Sequence, residues 1–359
     1  MDINQLLTFA VKEGASDLHL SSGEPPMLRI HGDIKRLEHA PLTKEEVHTM
    51  VFDVMNDFQR KTFQETLDID FAYDLGELAR FRINVFVQRK GEAAAFRTIP
   101  SQVITLDGLG MPPILKEICD KERGLVLVTG PTGSGKSTTL AGMIDYINER
   151  TETHILTVED PIEFVHQSKK SLVNQREVGP HTKSFAAALR GALREDPDVI
   201  LVGEMRDLET ISLALIAAET GHFVFGTLHT SSAPKTVDRI IDVFPAAQQN
   251  QVRAMFSESI QAIVTQTLCK KKEGGRVAAC EILIGTPACR NLIREAKIHQ
   301  LPSTMQTGQK AGMQTLDMAL QELVGRGLIT REEARAKSHN PALFGAPATN
   351  GATPMAKAS

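Results

Sequence analysis

Tryptophan is absent from this 359-residue chain and tyrosine occurs only twice, so it offers little aromatic platform on which nucleic-acid bases would stack. An excess of one charge is missing too. The formal net charge is -4, which gives no global field for recruiting nucleic acid or an anionic membrane. Cysteine is scarce: Cys119, Cys269, Cys280 and Cys289 include no C-x-x-C pair. That excludes a zinc knuckle or a small disulfide scaffold, and the four read as buried or free thiols in a reducing compartment. No window approaches about 18 uninterrupted apolar residues, which excludes a membrane-spanning helix. Met1-Asp2-Ile3-Asn4 lacks the basic start of a secretory signal, so the expectation is a cytoplasmic protein. The one basic run, Lys270-Lys271-Lys272, is followed by Glu273 and two glycines and reads as a solvated loop.

What is present is an ordinary globular balance, 42% apolar and 23% charged, with length for two domains. Asp2 is a plausible N-cap for a helix carrying Ile3, Leu6, Leu7, Ala10 and Val11, with Gly14 as its stop. From there to about residue 100 the text is strand-like. Phe81, Ile83, Val85 and Val87 alternate onto one face, Arg82, Asn84 and Gln88 share the other, and a second strand carries Arg97. Residues 1–100 thus read as a small α+β domain and 101–113 as a linker broken by glycine and proline. Residues 114–339 change character. Apolar runs at 125–129, 155–158, 199–202 and 223–228 are mostly separated by helical patterns, the signature of an α/β fold with a largely parallel sheet. From about residue 246 the pattern reads as largely helical. Residues 340–359, rich in Ala, Pro, Gly, Asn and Thr, read as a disordered tail.

Gly130-Pro131-Thr132-Gly133-Ser134-Gly135-Lys136-Ser137 fits G-x-x-x-x-G-K-[ST], entered by an apolar run and left by an amphipathic helix begun by Ser137-Thr138-Thr139. Glycines let the backbone curl so that successive N–H groups face phosphates, and the helix N-terminus adds partial positive charge. Lys136 is then the cation for the β- and γ-phosphates of ATP, and the Ser137 hydroxyl a ligand for Mg²⁺. In an open parallel sheet, ligands lie beyond the carboxyl ends of the strands. The polar residues following the apolar runs are Glu159, Asp160 and Glu163; Gly203, Glu204 and Arg206; and His229. A carboxylate there would hold the metal through its waters or orient the attacking water, and His229 would report the γ-phosphate. Asp198 precedes its strand and reads as structural, and His222 as a helix-end cap.

Taken together these motifs resemble the type II/type IV secretion superfamily of RecA-like hexameric ATPases. Thr157-Val158-Glu159-Asp160-Pro161-Ile162-Glu163 is similar to their acidic box. Residues 198–207 are similar to their atypical Walker B, with Glu204 in place of the usual aspartate, and residues 221–230 to their histidine box. Gly14-Ala15-Ser16-Asp17-Leu18-His19-Leu20 and Arg80-Phe81-Arg82-Ile83-Asn84-Val85-Phe86 resemble the N-terminal PAS-like domain of the type IV pilus retraction ATPases, the PilT group. Ala288-Cys289-Arg290-Asn291-Leu292-Ile293-Arg294-Glu295 resembles their C-terminal signature, with Cys289 where isoleucine is usual. The extra N-terminal domain and four-cysteine zinc site that pilus-assembly ATPases carry have no counterpart here, which argues against the alternative of a pilus-assembly or type II secretion ATPase. The resemblance implies a PAS-like α+β domain followed by a RecA-like P-loop ATPase domain with a helical C-terminal part, assembled as a homo-hexamer. It implies arginines from the N-terminal domain at the nucleotide, for which Arg82 and Arg97 match, and a catalytic and metal role shared by Glu163 and Glu204. It further implies ATP hydrolysis driving pilus retraction and twitching motility through an inner-membrane platform protein, peripheral to the membrane at its cytoplasmic face. A nucleic-acid motor on the same core is disfavoured by the composition. Thr286-Pro287 starts a helix expected to present Arg290, Arg294 and Lys297 as a basic face opposite Leu292 and Ile293.

Overall fold

The computed structural model describes residues 2–345 apart from His31, Glu77 and residues 100–102. The chain divides into two compact units, Met1–Val103 with Pro161–Val165, and Ile104–Asp160 with His166–Ser359.

The first unit runs α1 (Ile3–Lys12), β1 (Asp17–Ser21), β2 (Met27–Ile30), β3 (Asp33–Arg36), α2 (Lys44–Asp53), α3 (Asp57–Thr66), β4 (Asp68–Leu75), β5 (Ala79–Gln88) and β6 (Gly91–Ile99). Its six strands form an antiparallel sheet in the order β3-β2-β1-β6-β5-β4. Asp2 caps α1 as expected: its side chain accepts from the Gln5 amide at 2.8 Å while Gln5 reaches back to the Asp2 amide. Leu6 and Leu7 of α1 pack with Phe81, Ile83, Val85 and Phe96 in one core. The alternation of β5 ends one residue pair early, because Val87 is 44% exposed.

The strand-like expectation for this region missed α2 and α3. Both begin with capping boxes, Thr43 with Glu46 and Asn56 with Gln59, in which each side chain satisfies the other residue's amide. Only Phe63 of α3 is buried, so hydrophobic periodicity has almost nothing to show there.

The second unit runs α4 (Ile114–Cys119), β7 (Gly124–Thr129), α5 (Lys136–Arg150), β8 (His154–Glu159), β9 (Leu172–Glu177), α6 (Phe185–Ala192), β10 (Val199–Val202), α7 (Leu208–Glu219), β11 (Phe223–Leu228), α8 (Ala233–Asp242) and α9 (Ala246–Ser259). It continues with β12 (Ile260–Lys270), β13 (Arg276–Ile284), α10 (Pro287–Arg294), α11 (Leu301–Thr307), α12 (Leu316–Gly325) and α13 (Arg331–Lys337). The strand order is β13-β12-β7-β11-β10-β8-β9, parallel throughout except for the β12–β13 pair. Helices cover both faces, so successive residues of β7 enter different cores. Leu125 and Leu127 pack with α6 to α10, and Val126 and Val128 with α4 and α5. Each such fully buried side chain contributes roughly 1.5–3 kcal/mol over leaving it exposed. The whole is an α/β fold carrying one antiparallel and one mixed sheet.

The largely helical expectation after residue 246 is corrected by β12 and β13, a long hairpin on the edge of the parallel sheet. Most of β12 is buried, and its β-branched residues Ile260, Ile263, Val264, Thr265 and Thr267 suit a strand. Burial on both faces removes the period-two alternation that separates a strand from a buried helix in sequence. The basic run and its glycines form the turn of this hairpin, exposed as expected.

Two boundaries shift. In the 101–113 segment, Leu106 is buried, and a Cβ on Gly142 of α5 would come within 3.1 Å of the Ile104 carbonyl oxygen, so the stretch packs against α5. Residues 341–344 of the expected tail form a 3₁₀ turn that seats Phe344 beside Leu316 and Leu320; residues 346–359 lie outside those described. Among the described residues no helix is long and apolar enough to cross a membrane.

All four cysteines are buried as free thiols. Desolvation pushes Cys280 up to about 12 and Cys269 up to about 11, and raises Cys119 and Cys289 as well. Thiolate, the reactive form, is therefore suppressed at neutral pH. A disulfide-exchange reagent should modify none of them in the native protein and all four after denaturation. Rapid native labelling of even one would contradict this packing.

Candidate functional site

The segment joining β7 to α5 is a tight curl. Gly130, Gly133 and Gly135 take φ of 140°, 77° and 87°, which side-chain-bearing residues rarely adopt. At Gly130 a Cβ would stand 2.3 Å from the Gln266 carbonyl oxygen, so glycine is required by close approach as well. Gly135 is the N-cap of α5 and provides no side-chain cap, which leaves the first-turn amides of a 15-residue helix for other acceptors. Pro131, Thr132 and Gly133 are exposed at the tip, and Ser137 and Thr138 are half-buried at the start of α5.

Neighbouring strands hold this curl. Gln266 donates its Nε2 hydrogen to the Ser134 carbonyl at 2.7 Å, and the Thr129 and Thr265 hydroxyls meet at 2.8 Å. Three buried polar atoms here, Ser134 Oγ, Thr139 Oγ1 and Gln266 Oε1, have no hydrogen-bond partner among the described residues. Lys136 is only 9% exposed, and its Nζ donates to the carbonyls of Gly130 at 2.8 Å and Pro131 at 3.1 Å.

The carboxyl ends of three further strands bring polar groups to the same edge. After β10, the Gly203 amide donates to Val158 O at 2.7 Å and the Met205 amide to Thr227 O at 3.0 Å, which pins Glu204 between its neighbours. After β11 comes His229, whose Nε2 lies 3.0 Å from Glu204 Oε1 and whose Nδ1 lies 3.5 Å from Lys136 Nζ. Arg206 Nε meets the same Glu204 oxygen at 2.6 Å. Lysine only donates, so Nδ1 is the acceptor and Nε2–H the donor to Glu204; one imidazole links lysine to carboxylate. Burial works to raise Glu204, but the hydrogen bond and charge of Arg206, with His229, outweigh it and hold the carboxyl below its ordinary value. Glu204 is therefore ionised at neutral pH.

Over residues 1–336 the chain matches the family model described as Type II/IV secretion system protein. It belongs to that family. As a member of the type II/IV secretion system protein family it is 62% identical over 344 residues to the "Type IV pilus retractation ATPase PilT" of Pseudomonas aeruginosa, covering 96% of this chain and 100% of the relative. It is 62% identical over 316 residues to a "Twitching motility protein" of Neisseria gonorrhoeae, covering 88% of this chain and 84% of that one. Among solved structures it resembles the "Pilus Retraction Motor PilT and Bound ADP", with a TM-score of 0.90, 51% identity, and 95% and 98% coverage.

For this family member the structure gathers Lys136, Glu204 and His229 as anticipated, and adds Arg206, which sequence reasoning noted without assigning a task. Glu159 ends β8 at the same edge, where its Oε1 accepts from Thr157 at 2.7 Å and Gln175 at 3.2 Å. Glu163 is exposed and falls with the first unit. Arg82 and Arg97, also in that unit, stand directly opposite each other on β5 and β6. Arg82 pairs with Asp70 at 3.0 Å through Nε, and Arg97 with Asp17 at 3.1 Å. Arg82 and Asp70 are both partly exposed, a kind of pair that contributes about 0–1 kcal/mol, whereas the Asp17 beside Arg97 is buried.

Asp198 sits at the other end of its strand and accepts the His154 amide at 2.8 Å. His222 closes α7 through its amide and ring onto the Ala217 carbonyl. Thr286 caps α10 as expected. The expected basic face of α10 is corrected at Arg290, which is half-buried and donates to the carbonyls of Gly285 at 2.7 Å, Ser257 at 3.2 Å and Glu258. Arg290 staples the end of α9, Arg294 pairs with Glu258, and Lys297 pairs with Glu295 at 2.6 Å.

Proposed function

We propose that this chain is an ATP-hydrolysing motor that drives type IV pilus retraction and twitching motility. The observation that carries the hydrolytic part is the line from the loop lysine through His229 to Glu204, at 3.5 and 3.0 Å. A loop that merely turned a corner would have no use for a buried lysine joined to an ionised carboxylate. Likeness to retraction motors along nearly the whole chain supports the mechanical part.

In this reading residues 130–138 form a P-loop: amides of the curl and of the first turn of α5 bind the phosphates, and Lys136 exchanges its carbonyl partners for β- and γ-phosphate oxygens. The protein's unpaired Ser134 Oγ and Thr139 Oγ1, buried beside the curl, fit a site made for a polar ligand. Ser137 and Glu204 are hard oxygen donors suited to Mg²⁺, which uses one or two protein ligands alongside phosphates and water. When bound, Mg²⁺ neutralises charge developing on the phosphate oxygens. Glu204 Oε1 is held by Arg206 and His229, which leaves Oε2 to orient and deprotonate the attacking water. His229 sits where a γ-phosphate arriving at Lys136 competes for its contact. Glu159 and Glu163 are assigned to the acidic side of the same chemistry, and Arg82 and Arg97 to the γ-phosphate charge in the arginine-finger manner.

The proposal places a PAS-like domain before a RecA-like domain, a homo-hexameric ring, and an inner-membrane pilus platform protein as partner at the cytoplasmic face. Deleting the gene should leave cells with excess surface pili and no twitching, scored by electron microscopy and subsurface motility. Bald cells would assign the chain to pilus assembly instead.

A further inference from the structure

His229 is brought to Glu204 by the segment 229–232, and α8 starts immediately after it. The cap of α8 is divided. Ser232 accepts the Lys235 amide, whereas the first helical amide, that of Ala233, donates to Oε1 of Glu281 at 2.7 Å. Glu281 comes from β13, far away in sequence, and is only 7% exposed. Burial pushes Glu281 above the ordinary carboxyl value, and the Ala233 amide, with a smaller contribution from the Leu316 backbone at the start of α12, works against that shift. The carboxyl group thus faces the N-terminus of α8, which carries roughly half a positive charge.

Its register matters as much as its partners. Glu281 stands opposite Thr265, Thr265 opposite Thr129, and Thr129 opposite Leu228. Directly opposed residues share a face, so a transverse row links Glu281 to the last residue before the 130–135 curl and to the residue before His229. The Thr129–Thr265 hydroxyl contact is the polar bond within that row. Pro131, Ser231, Gln266 and Glu281 also line one small cavity of about 150 Å³ with Lys337 and His339.

We infer that Glu281 is a positioning residue for hydrolysis: by anchoring the start of α8 it fixes segment 229–232, and through it the distance from His229 to Glu204 and Lys136. The inference rests on the role given above to His229. Glutamine would keep one acceptor oxygen but bring a buried N–H₂ that needs an acceptor of its own, so the bond to the Ala233 amide would no longer be secured. Lys136 Nζ is held chiefly by the Gly130 and Pro131 carbonyls, which Glu281 does not touch, so nucleotide affinity is largely kept when the anchor is lost.

The test is a double-mutant cycle on the full-length protein, with steady-state ATP turnover, ADP affinity by calorimetry and assembly state by sedimentation. Glu281→Gln should lower kcat roughly tenfold while ADP Kd stays within about twofold. In a His229→Ala background the same change should cost less than about twofold, because the residue through which it acts is gone. Glu281→Asp, which keeps the charge but shortens the reach, should show the same split and serves if the glutamine variant does not fold. Equal costs in both backgrounds, a parallel fall of kcat and ADP affinity, or unchanged kcat in Glu281→Gln would each overturn the inference. Normal turnover in His229→Ala alone would overturn the role of His229, and this inference with it. Slow His229→Ala turnover with additive costs would overturn the inference alone.

Discussion

Lys136→Ala is expected to abolish nucleotide binding, with affinity for a non-hydrolysable ATP analogue falling by roughly 10²–10⁴-fold in calorimetry. The reasoning starts from where the ammonium lies. Lys136 is almost fully buried, and its Nζ rests on two main-chain carbonyl oxygens of the curl. Carbonyls are neutral acceptors, and in the proposed reading the ammonium exchanges them for phosphate oxygens, which carry negative charge. A hydrogen bond to a charged group contributes about 1.5–3 kcal/mol, and two phosphate oxygens held this way give about 3–6 kcal/mol. At 1.4 kcal/mol per tenfold, that is the stated loss. Alanine keeps the helix, since it has the highest helical propensity, so the fold should survive. A Kd for the ATP analogue within tenfold of wild type in a folded Lys136→Ala protein would remove this lysine from its assigned role.

What could be read from the sequence, and what could not, divides along the range of the interactions involved. The curl at 130–137, the cap at Asp2, the start of α10 at Thr286-Pro287 and the end cap at His222 each depend on residues within a turn of one another. Their chemistry is written in adjacent letters. The strand-end rule found Glu204 and His229, because a parallel sheet sends its carboxyl ends to one edge whatever the helices do. Helices α2 and α3 are equally local, but their signal lies in the two capping boxes and not in hydrophobic periodicity. The β12–β13 hairpin was lost for a different reason. Burial on both sides erased its alternation, and only its pairing with β7 reveals it. Gln266, Thr265 and Glu281 all sit on that hairpin. Each acts across strands on residues more than 40 positions away, and no spacing rule encodes such a contact. Arg290 shows the converse error. Helical spacing put it on a basic face, but the carbonyls ending α9 take up its guanidinium.

Glu204→Gln is expected to keep nucleotide binding and lower kcat by about 10²-fold or more. The substitution is isosteric. An amide oxygen can still accept from Arg206 Nε and from His229 Nε2–H, the two groups now within 3.0 Å of Oε1. The 229–232 segment and Lys136 therefore keep their places, and ADP affinity should stay within a few-fold. Charge and basicity are what disappear. Arg206 and His229 hold this carboxyl below its ordinary value against the opposing effect of burial, so at neutral pH the wild-type enzyme works with an ionised group. An amide can neither take a proton from water nor neutralise a cation, and groups with those tasks contribute about 10²–10⁴-fold. Parallel loss of binding and turnover would instead mean that Glu204 supports the loop through His229 rather than acting on water. Steady-state hydrolysis alongside ADP calorimetry separates these outcomes, and a near-normal kcat in a folded Glu204→Gln protein would take the residue out of the catalytic set.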